Sequence, residues 1–353
     1  MAEEESMVKT IENLSNIEGN CPPGYERIIM STGGLYGAPN VLHIRNFSVE
    51  EALQLGMVSQ EDLPIKIVSL LQNIIFEENV KVANFYDGEV AELMIKFYKT
   101  FYQSIMKDVK YDLTKKDAEW AKETIFKGQD SPEYRNWIRG CRIGKIPLTY
   151  DIDLNQVKYY DVGDKAHDLI KATKNGFEFI FQYPRFGDAA ILQKAVKEEF
   201  RAEDRQFGPL YETYRRKRDM EDALRRGEDV DPANIPYIEP DDLNAVRAYE
   251  TKKTSYIISQ MKGMYLHSIG GKDVSQLPLS ERIEIAKDSR YDFSLYQMIS
   301  EKLNKMEVGP IPKITIINPV THAVEEVDHP FRTLDLLAAI KNYRSDNTVI
   351  ESI

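Results

Sequence analysis

The sequence predicts an α+β fold that is mainly helical, with an inserted antiparallel β section and a C-terminal β-hairpin. Two observations predict this class. Apolar residues recur at helical spacing in residues 41–140, and the highly charged residues 187–309 are again mostly helical in pattern. Apolar and polar residues alternate in parts of 141–186, and the chain returns to a β pattern after residue 310. The strands and helices are therefore segregated along the chain, which is not the pattern of a doubly wound parallel sheet.

Residues 1–40 are predicted to form an irregular N-terminal arm. Turn-forming clusters of Gly and Pro occupy residues 21–24 and 32–39. We expect such an arm to become ordered only on a neighbouring subunit. Its first residues are acidic and polar, so the sequence predicts no signal peptide there.

Residues 41–140 are predicted to form a helical domain after a short strand at 41–45. Two of its helices are expected to begin with a capping box, in which two side chains satisfy free backbone N–H groups. These boxes pair Ser48 with Glu51 and Thr114 with Asp117. Asp87 is expected to cap a further helix that continues to about Ile105.

Residues 141–186 are predicted to form the β-rich section. Apolar side chains alternate over 148–154, and the segment 177–183 places Phe177, Phe179, Phe181 and Tyr183 on one face. Residues 164–174 fit either a helix or a loop.

Residues 187–309 are predicted to form a charged helical domain, and a Pro-rich break at 231–240 precedes a long helix at about 242–264. Asp188 is expected to cap the first helix, so that Asp188→Ala would cost about 1 kcal/mol. Residues 310–353 are predicted to form a β-hairpin and a C-terminal helix that carries Leu334, Leu337 and Ile340.

Composition excludes several classes of protein. The 353 residues are 42% hydrophobic and 29% charged, as in soluble globular proteins, and no apolar run approaches the ~18 residues of a membrane span. A net charge of −11 argues against a general nucleic-acid binder. Cys21 and Cys141 are expected to be free thiols in a reducing compartment. We therefore predict no metal, no cofactor and no membrane partner.

No local motif of a known catalytic site is present, including the P-loop, the G-x-S-x-G elbow, H-E-x-x-H and C-x-x-C. Basic residues around Cys141 would favour a thiolate, but no His follows nearby, so a partly buried thiol is the preferred interpretation. His322 and His329 flank a turn and are interpreted as polar residues of a β connection. Asp151 and Asp153 fit the solvent face of a strand.

One dense basic run follows two tyrosines and is the candidate interaction site. Tyrosine and arginine are enriched at protein–protein contacts because each combines a large body with a polar tip. The candidate residues are Tyr211, Tyr214, Arg215, Arg216 and Arg218. The alternative interpretation is a solvated helix face, since acidic residues intersperse the run.

Several short motifs occur in an order that resembles the baseplate-hub and tail-assembly protein family of contractile-tailed, T-even-type bacteriophages. After the Gly/Pro-rich lead come the strand at 41–45, the capping box at 48–51 and the acidic helix start at 87–93. Cys141 then precedes 152–154, and Pro-Arg-Phe-Gly-Asp follows at 184–188. The resemblance covers about residues 30–200, with a weaker match in the C-terminal hairpin and helix.

The resemblance implies a non-enzymatic baseplate subunit or assembly factor that is made in the host cytoplasm and located in the virion tail. Its partners would be other tail proteins. Family members often carry several cysteines at the entry to the β section, whereas this chain has only Cys141 there. No metal site is therefore inferred from the family.

Two alternatives remain open from the residues alone. The first is a metal-dependent phage enzyme, a nuclease or a transferase, in which dispersed carboxylates such as Asp151, Asp153 and Asp188 converge on one ion. The second is a nucleic-acid-binding module built on the basic residues between Arg215 and Arg226.

Overall fold

A computed structural model describes residues 21–57, 63–161, 169–226, 232–288, 290–303, 307–331 and 336. The strands are β1 (Glu26–Ile29), β2 (Val41–Ile44), β3 (Ile105–Lys110), β4 (Thr149–Asp153), β5 (Leu169–Lys174), β6 (Phe177–Gln182), β7 (Leu266–Ile269), β8 (Lys272–Asp273), β9 (Lys313–Ile317) and β10 (Val324–Asp328). The helices are α1 (Val49–Met57), α2 (Leu63–Ile74), α3 (Asp87–Phe101), α4 (Lys115–Thr124), α5 (Pro132–Arg142), α6 (Phe186–Glu199), α7 (Arg201–Arg225), α8 (Pro240–Tyr265), α9 (Leu279–Ile285) and α10 (Phe293–Leu303). The predicted α+β class is confirmed.

The chain divides into two compact units. Unit 1 comprises Met1–Ala166 together with Glu307–Ile353, and unit 2 comprises His167–Met306. Unit 2 is thus an insertion in the sequence of unit 1. The predicted β-rich section, 141–186, is shared between them, because β4 belongs to unit 1 and β5 and β6 belong to unit 2.

Unit 1 contains helices and three small antiparallel sheets, which pair β1 with β2, β3 with β4, and β9 with β10. Strand β2 and helices α2 and α3 contribute many of its buried apolar side chains. Fully or almost fully buried members include Leu42, Ile44, Leu70, Leu71, Ile74, Leu93 and Phe97. The predicted C-terminal hairpin is confirmed as β9–β10. The predicted helix side chains Leu334, Leu337 and Ile340 lie outside the described residues.

Part of the predicted irregular arm is ordered within unit 1 itself. Residues 26–29 form β1, so the prediction of an irregular arm is wrong for this stretch. The loop that follows is held by two fully buried carboxylates of α3. Glu92 accepts hydrogen bonds from the Ser31 N–H and hydroxyl, both at 2.6 Å, and Glu89 accepts them from the Thr32 hydroxyl and the Ala38 N–H, at 3.1 and 3.0 Å. A loop that contains three glycines and a proline is fixed here by long-range partners that sequence periodicity does not reveal.

Burial raises the pKa of Glu89, although the hydrogen bonds from Tyr86, Ala38 and Thr32 act in the opposite direction. The Glu89 carboxylate also accepts the Tyr86 N–H at 2.9 Å. Tyr86, not Asp87, is the residue before the first turn of α3. The predicted capping role of Asp87 is therefore wrong, and Glu89 satisfies the free N–H group instead.

Both predicted capping boxes are present. The Ser48 N–H donates to Glu51 at 2.8 Å and the Glu51 N–H donates to Ser48 at 3.2 Å. Thr114 and Asp117 exchange the corresponding bonds, each at 3.1 Å. These are contacts between near neighbours, which is why sequence alone predicted them.

The third helix is shorter than predicted. It ends at Phe101, and Ile105 begins strand β3, which pairs with β4 through Ile105–Asp153 and Met106–Ile152. The pairing partner lies more than forty residues away in the sequence. Local apolar spacing could not reveal it.

Unit 2 contains a four-stranded antiparallel sheet with the order β5-β6-β7-β8. Residues 169–174, which fitted a helix or a loop, form β5, and a tight Asn175-Gly176 turn with positive φ at both residues joins it to β6. Strands β7 and β8 lie inside the range that was predicted to be helical. The Phe179 and Phe181 side chains are fully buried against Tyr291, as the shared face of β6 predicted.

Candidate interaction site

The candidate residues lie on α7, which packs against α8 in unit 2. Acidic residues occupy the first turn of both helices and a basic residue occupies the last, which matches the helix dipole. Pro240 stands at the start of α8, where its missing N–H costs nothing. The two helices run antiparallel, since Glu203 near the start of α7 contacts Lys252 in the middle of α8, whereas Arg225 at the end of α7 lines a groove with Leu243 near the start of α8.

An aromatic cluster joins α7 to α8. Tyr249 of α8 is 5% exposed and lies 5.6 Å, ring centre to ring centre, from both Phe207 and Tyr211 of α7. Phe200, at the junction of α6 and α7, is fully buried and contacts Tyr256 at 5.5 Å. The aromatic residues of this region therefore form the packing between the helices.

Ion pairs lie beside the aromatic cluster. Lys252 bonds Glu203 at 2.6 Å, and Lys253 bonds Asp204 at 2.7 Å. Burial would lower the pKa of Lys253, but its hydrogen bonds to Asp204 and Tyr249 outweigh burial and raise it. Burial, followed by the Asp204 contact, raises the pKa of Tyr249. At neutral pH the lysine is thus charged and the tyrosine is neutral.

Helix α7 is only partly buried in unit 2, since twelve of its residues are exposed and twelve are half-buried. Ala223 is the one buried residue among the 25 of the helix. A helix of this length extends about 37 Å. A long helix that is polar around most of its circumference commonly bridges to another surface or is supported by many ion pairs.

The structure divides the five predicted interaction residues into two groups. Tyr211 and Tyr214 are half-buried and lie on the side of α7 that faces α8. Arg218 lies on the same side, where it forms an ion pair with Glu250 at 3.1 Å, and the negative charge of Glu250 raises the pKa of Arg218. Arg215 and Arg216 are exposed and form no hydrogen bond or ion pair with the described part of the chain.

A groove of about 290 Å³ lies between α7 and α8, and we refer to it as the α7–α8 groove. It is lined by Tyr214, Lys217, Arg218, Glu221, Asp222, Arg225, Leu243 and Arg247. Sequence reasoning identified Tyr214 and Arg218 as interaction residues, and Lys217 and Arg225 as members of the basic run. It did not identify the lining residues of α8, because the local sequence does not specify which two helices pack together. Leu243, Arg247 and Glu250 do recur at helical spacing, which was the available signal.

The carboxylates proposed for a metal-dependent enzyme have structural partners. Both carboxylate oxygens of Asp188 accept hydrogen bonds from the Arg282 guanidinium, at 3.1 and 3.2 Å. The predicted role of Asp188 as an N-cap is therefore wrong. Asp151 accepts the Asp108 N–H at 3.1 Å, and Asp153 accepts the Asn155 N–H at 2.9 Å. Among the described residues, no three His, Cys, Asp or Glu side chains are placed to hold a metal ion.

Cys141 and the histidine pair also have ordinary surroundings. Cys141 is half-buried in α5, and burial raises the pKa of its thiol, which opposes a reactive thiolate. His329 is buried and lies 3.0 Å from the Tyr150 hydroxyl, whereas His322 lies in the turn between β9 and β10 with a φ of 57°.

Comparison with known proteins identified no relative: no protein-family model, no curated protein and no solved structure matches the chain. No helix within the described ranges is long and apolar enough to span a membrane.

Proposed function

We propose that this chain is a non-enzymatic subunit or assembly factor of a contractile phage tail baseplate, and that it acts by binding other tail proteins. In this proposal it is made in the host cytoplasm and functions in the tail of the virion. The observation that carries the interaction role is the exposed surface of α7, a helix of 25 residues in which Ala223 alone is buried.

The charge and residue types on this surface favour a protein partner. Arginine and tyrosine are over-represented in protein interfaces because both supply contact area together with directed hydrogen bonds. Arg215 and Arg216 are exposed and unpaired within the described ranges, so neither has to break an internal ion pair to bind a partner. Glu212 and Asp219 lie beside them on the exposed side, which suits a partner of mixed charge better than a phosphate backbone.

The assignment to a tail baseplate rests on the sequence resemblance. The motifs at 48–51, 87–93 and 184–188 occur in the order typical of the T-even-type baseplate family. In this chain the first forms the capping box of α1, the second opens α3 and the third opens α6. All three motifs are therefore helix starts. The resemblance thus concerns the order in which these helices begin along the chain.

The composition of purified phage particles tests this proposal. Particles of the phage that carries this chain should be purified alongside tail intermediates from infected cells, and each protein quantified by mass spectrometry. A subunit is expected in finished particles at a fixed low copy number, and an assembly factor is expected with the tail intermediates alone. If the chain is associated with neither, the proposal is wrong.

A further inference from the structure

We propose that the α7–α8 groove is a docking site for an acidic segment of a partner protein, and that Arg247 receives a carboxylate of that segment. This inference rests on the proposed interaction function and specifies the chemistry of the partner. It follows from the balance of charges in the groove, from the free side chain of Arg247 and from the apolar groups beside it.

Positive charge exceeds negative charge in the lining. Four cations, Lys217, Arg218, Arg225 and Arg247, share the groove with the carboxylates of Glu221 and Asp222. The carboxylates have cationic neighbours on their own helix, at 4.0 Å for Glu221 with Lys217 and 3.4 Å for Asp222 with Arg225. Arg218 is paired with Glu250 of α8. The remaining positive charge is that of Arg247.

Arg247 is exposed and forms no hydrogen bond or ion pair within the described part of the chain. Its guanidinium presents a planar fork of N–H donors, which matches the two oxygens of a carboxylate. An arginine that is already free needs to give up no internal partner when it binds. Arg247 is therefore the residue of the groove best suited to receive an external anion.

The walls of the groove provide apolar contact next to this charge. Tyr214 of α7 and Leu243 of α8 are half-buried members of the lining. Binding energy at interfaces concentrates where an arginine or tyrosine meets a partner in a pocket shielded from water. At about 290 Å³ the groove lies near the lower limit of ligand pockets, which run from about 300 to 1,000 Å³. It fits a few side chains of a protein segment.

The acidic members of the lining favour a carboxylate-bearing protein over a nucleic acid. A phosphate backbone carries a charge at every nucleotide and would place further negative charges near Glu221 and Asp222. A protein segment can place one carboxylate at Arg247 and neutral or basic groups elsewhere. The net charge of −11 repels a polyanion more strongly than a segment that carries one carboxylate.

Peptide binding to the full chain tests the site. The probe is a short fluorescein-labelled peptide, amidated at its C-terminus, that carries one glutamate among serine, glycine and leucine residues, and its counterpart carries glutamine in place of the glutamate. Fluorescence anisotropy at low salt measures the affinity for each. We expect the glutamate peptide to bind and Arg247→Ala to weaken it by about tenfold or more, as for an interfacial arginine hot spot.

Arg139→Ala is the matched control, because Arg139 of α5 is also an exposed helical arginine whose side chain is unpaired within the described ranges, and it does not line the groove. We expect it to change the affinity by less than about twofold. Melting curves of both variants should coincide with that of the unaltered chain, since neither side chain is buried. Absence of binding, equal weakening by both variants, or equal binding of the glutamine peptide would each overturn the docking site.

A labelled single-stranded DNA oligonucleotide separates the nucleic-acid alternative. If it binds more tightly than the glutamate peptide, the acidic-segment proposal is wrong.

Particle composition distinguishes this inference from the proposed function. Binding that depends on Arg247 in a chain absent from tails would retain the docking site and refute the baseplate role. If the chain is present in tails but binds no glutamate peptide, the baseplate role is retained and the docking site is refuted.

Discussion

The contact between Asp188 and Arg282 shows how one residue can be misread from its local sequence. Asp188 lies in the first turn of α6, where an acidic side chain is favourable to the helix dipole. Its carboxylate instead bonds a guanidinium on α9, and the side chains are 13% and 5% exposed. The role of Asp188 is therefore to neutralise a buried arginine that lies far away in the sequence.

Removing this carboxylate is expected to destabilise unit 2 strongly. Asp188→Ala would leave the Arg282 charge buried without its partner, at a cost of about 3–5 kcal/mol, compared with about 1 kcal/mol for a lost cap. Chemical denaturation of the full chain followed by circular dichroism measures the loss. Asp219→Ala, at an exposed position on α7, is the control and should change stability by less than about 0.5 kcal/mol. A loss near 1 kcal/mol for Asp188→Ala would favour the capping role.

At the scale of elements, α3 is positioned by close contact between two backbones. A Cβ atom on Gly88, in the first turn of α3, would lie 2.1 Å from the Val308 carbonyl oxygen. A Cβ atom on Gly309 would lie 2.2 Å from the Gly88 carbonyl oxygen, and Gly309 has a φ of +87°. Both positions thus require glycine, because the obstructing atoms are backbone atoms that cannot rotate away.

Gly88→Ala is expected to destabilise unit 1 by about 1–3 kcal/mol or more, since the added methyl group forces the two segments apart. The lowered midpoint of chemical denaturation measures this effect. Gly208→Ala is the matched control, because Gly208 is also helical and a Cβ there meets no atom within 4 Å. That control is expected to change stability by less than about 1 kcal/mol, because Pro209 restricts the residue before it and so opposes the higher helix propensity of alanine. Equal effects in the two variants would refute the close-contact explanation.

At the scale of the whole molecule, unit 2 interrupts unit 1 at a point where two segments lie side by side. Tyr159 and Pro310 form an antiparallel bridge, the Tyr160 N–H donates to the Gly309 carbonyl at 3.0 Å, and the Ile311 N–H donates to the Lys158 carbonyl at 2.8 Å. The chain therefore leaves unit 1 and returns to it at neighbouring positions, an arrangement that permits insertion of a domain.

We expect unit 1 to fold without unit 2. Residues 162–306 would be replaced by a flexible linker of about four to six residues, which is sufficient to join neighbouring strands about 5 Å apart. The shortened chain is expected to elute as one monomeric or oligomeric species in size-exclusion chromatography. It is also expected to unfold cooperatively when followed by circular dichroism. Introducing Gly88→Ala into it should lower its midpoint as it does in the full chain. Loss of cooperative unfolding would show that unit 1 depends on unit 2.

Features that depend on neighbouring residues were predictable from the sequence. The Ser48–Glu51 and Thr114–Asp117 capping boxes join residues three positions apart, and the β9–β10 hairpin joins adjacent strands. The aromatic face of β6 likewise follows from the alternation of side chains along one strand. In each case the interacting groups lie within a few residues, so their spacing carries the information.

The amino-acid sequence by itself determined the α+β class, the main helices and the candidate helix α7, because apolar spacing and capping chemistry act locally. Tertiary structure alone decided the pairing of β3 with β4, the partner of Asp188 and the α8 wall of the α7–α8 groove. Each of these joins segments separated by long stretches of chain. Such contacts form where folding brings complementary surfaces together, and a local pattern does not specify which distant surface a residue will meet.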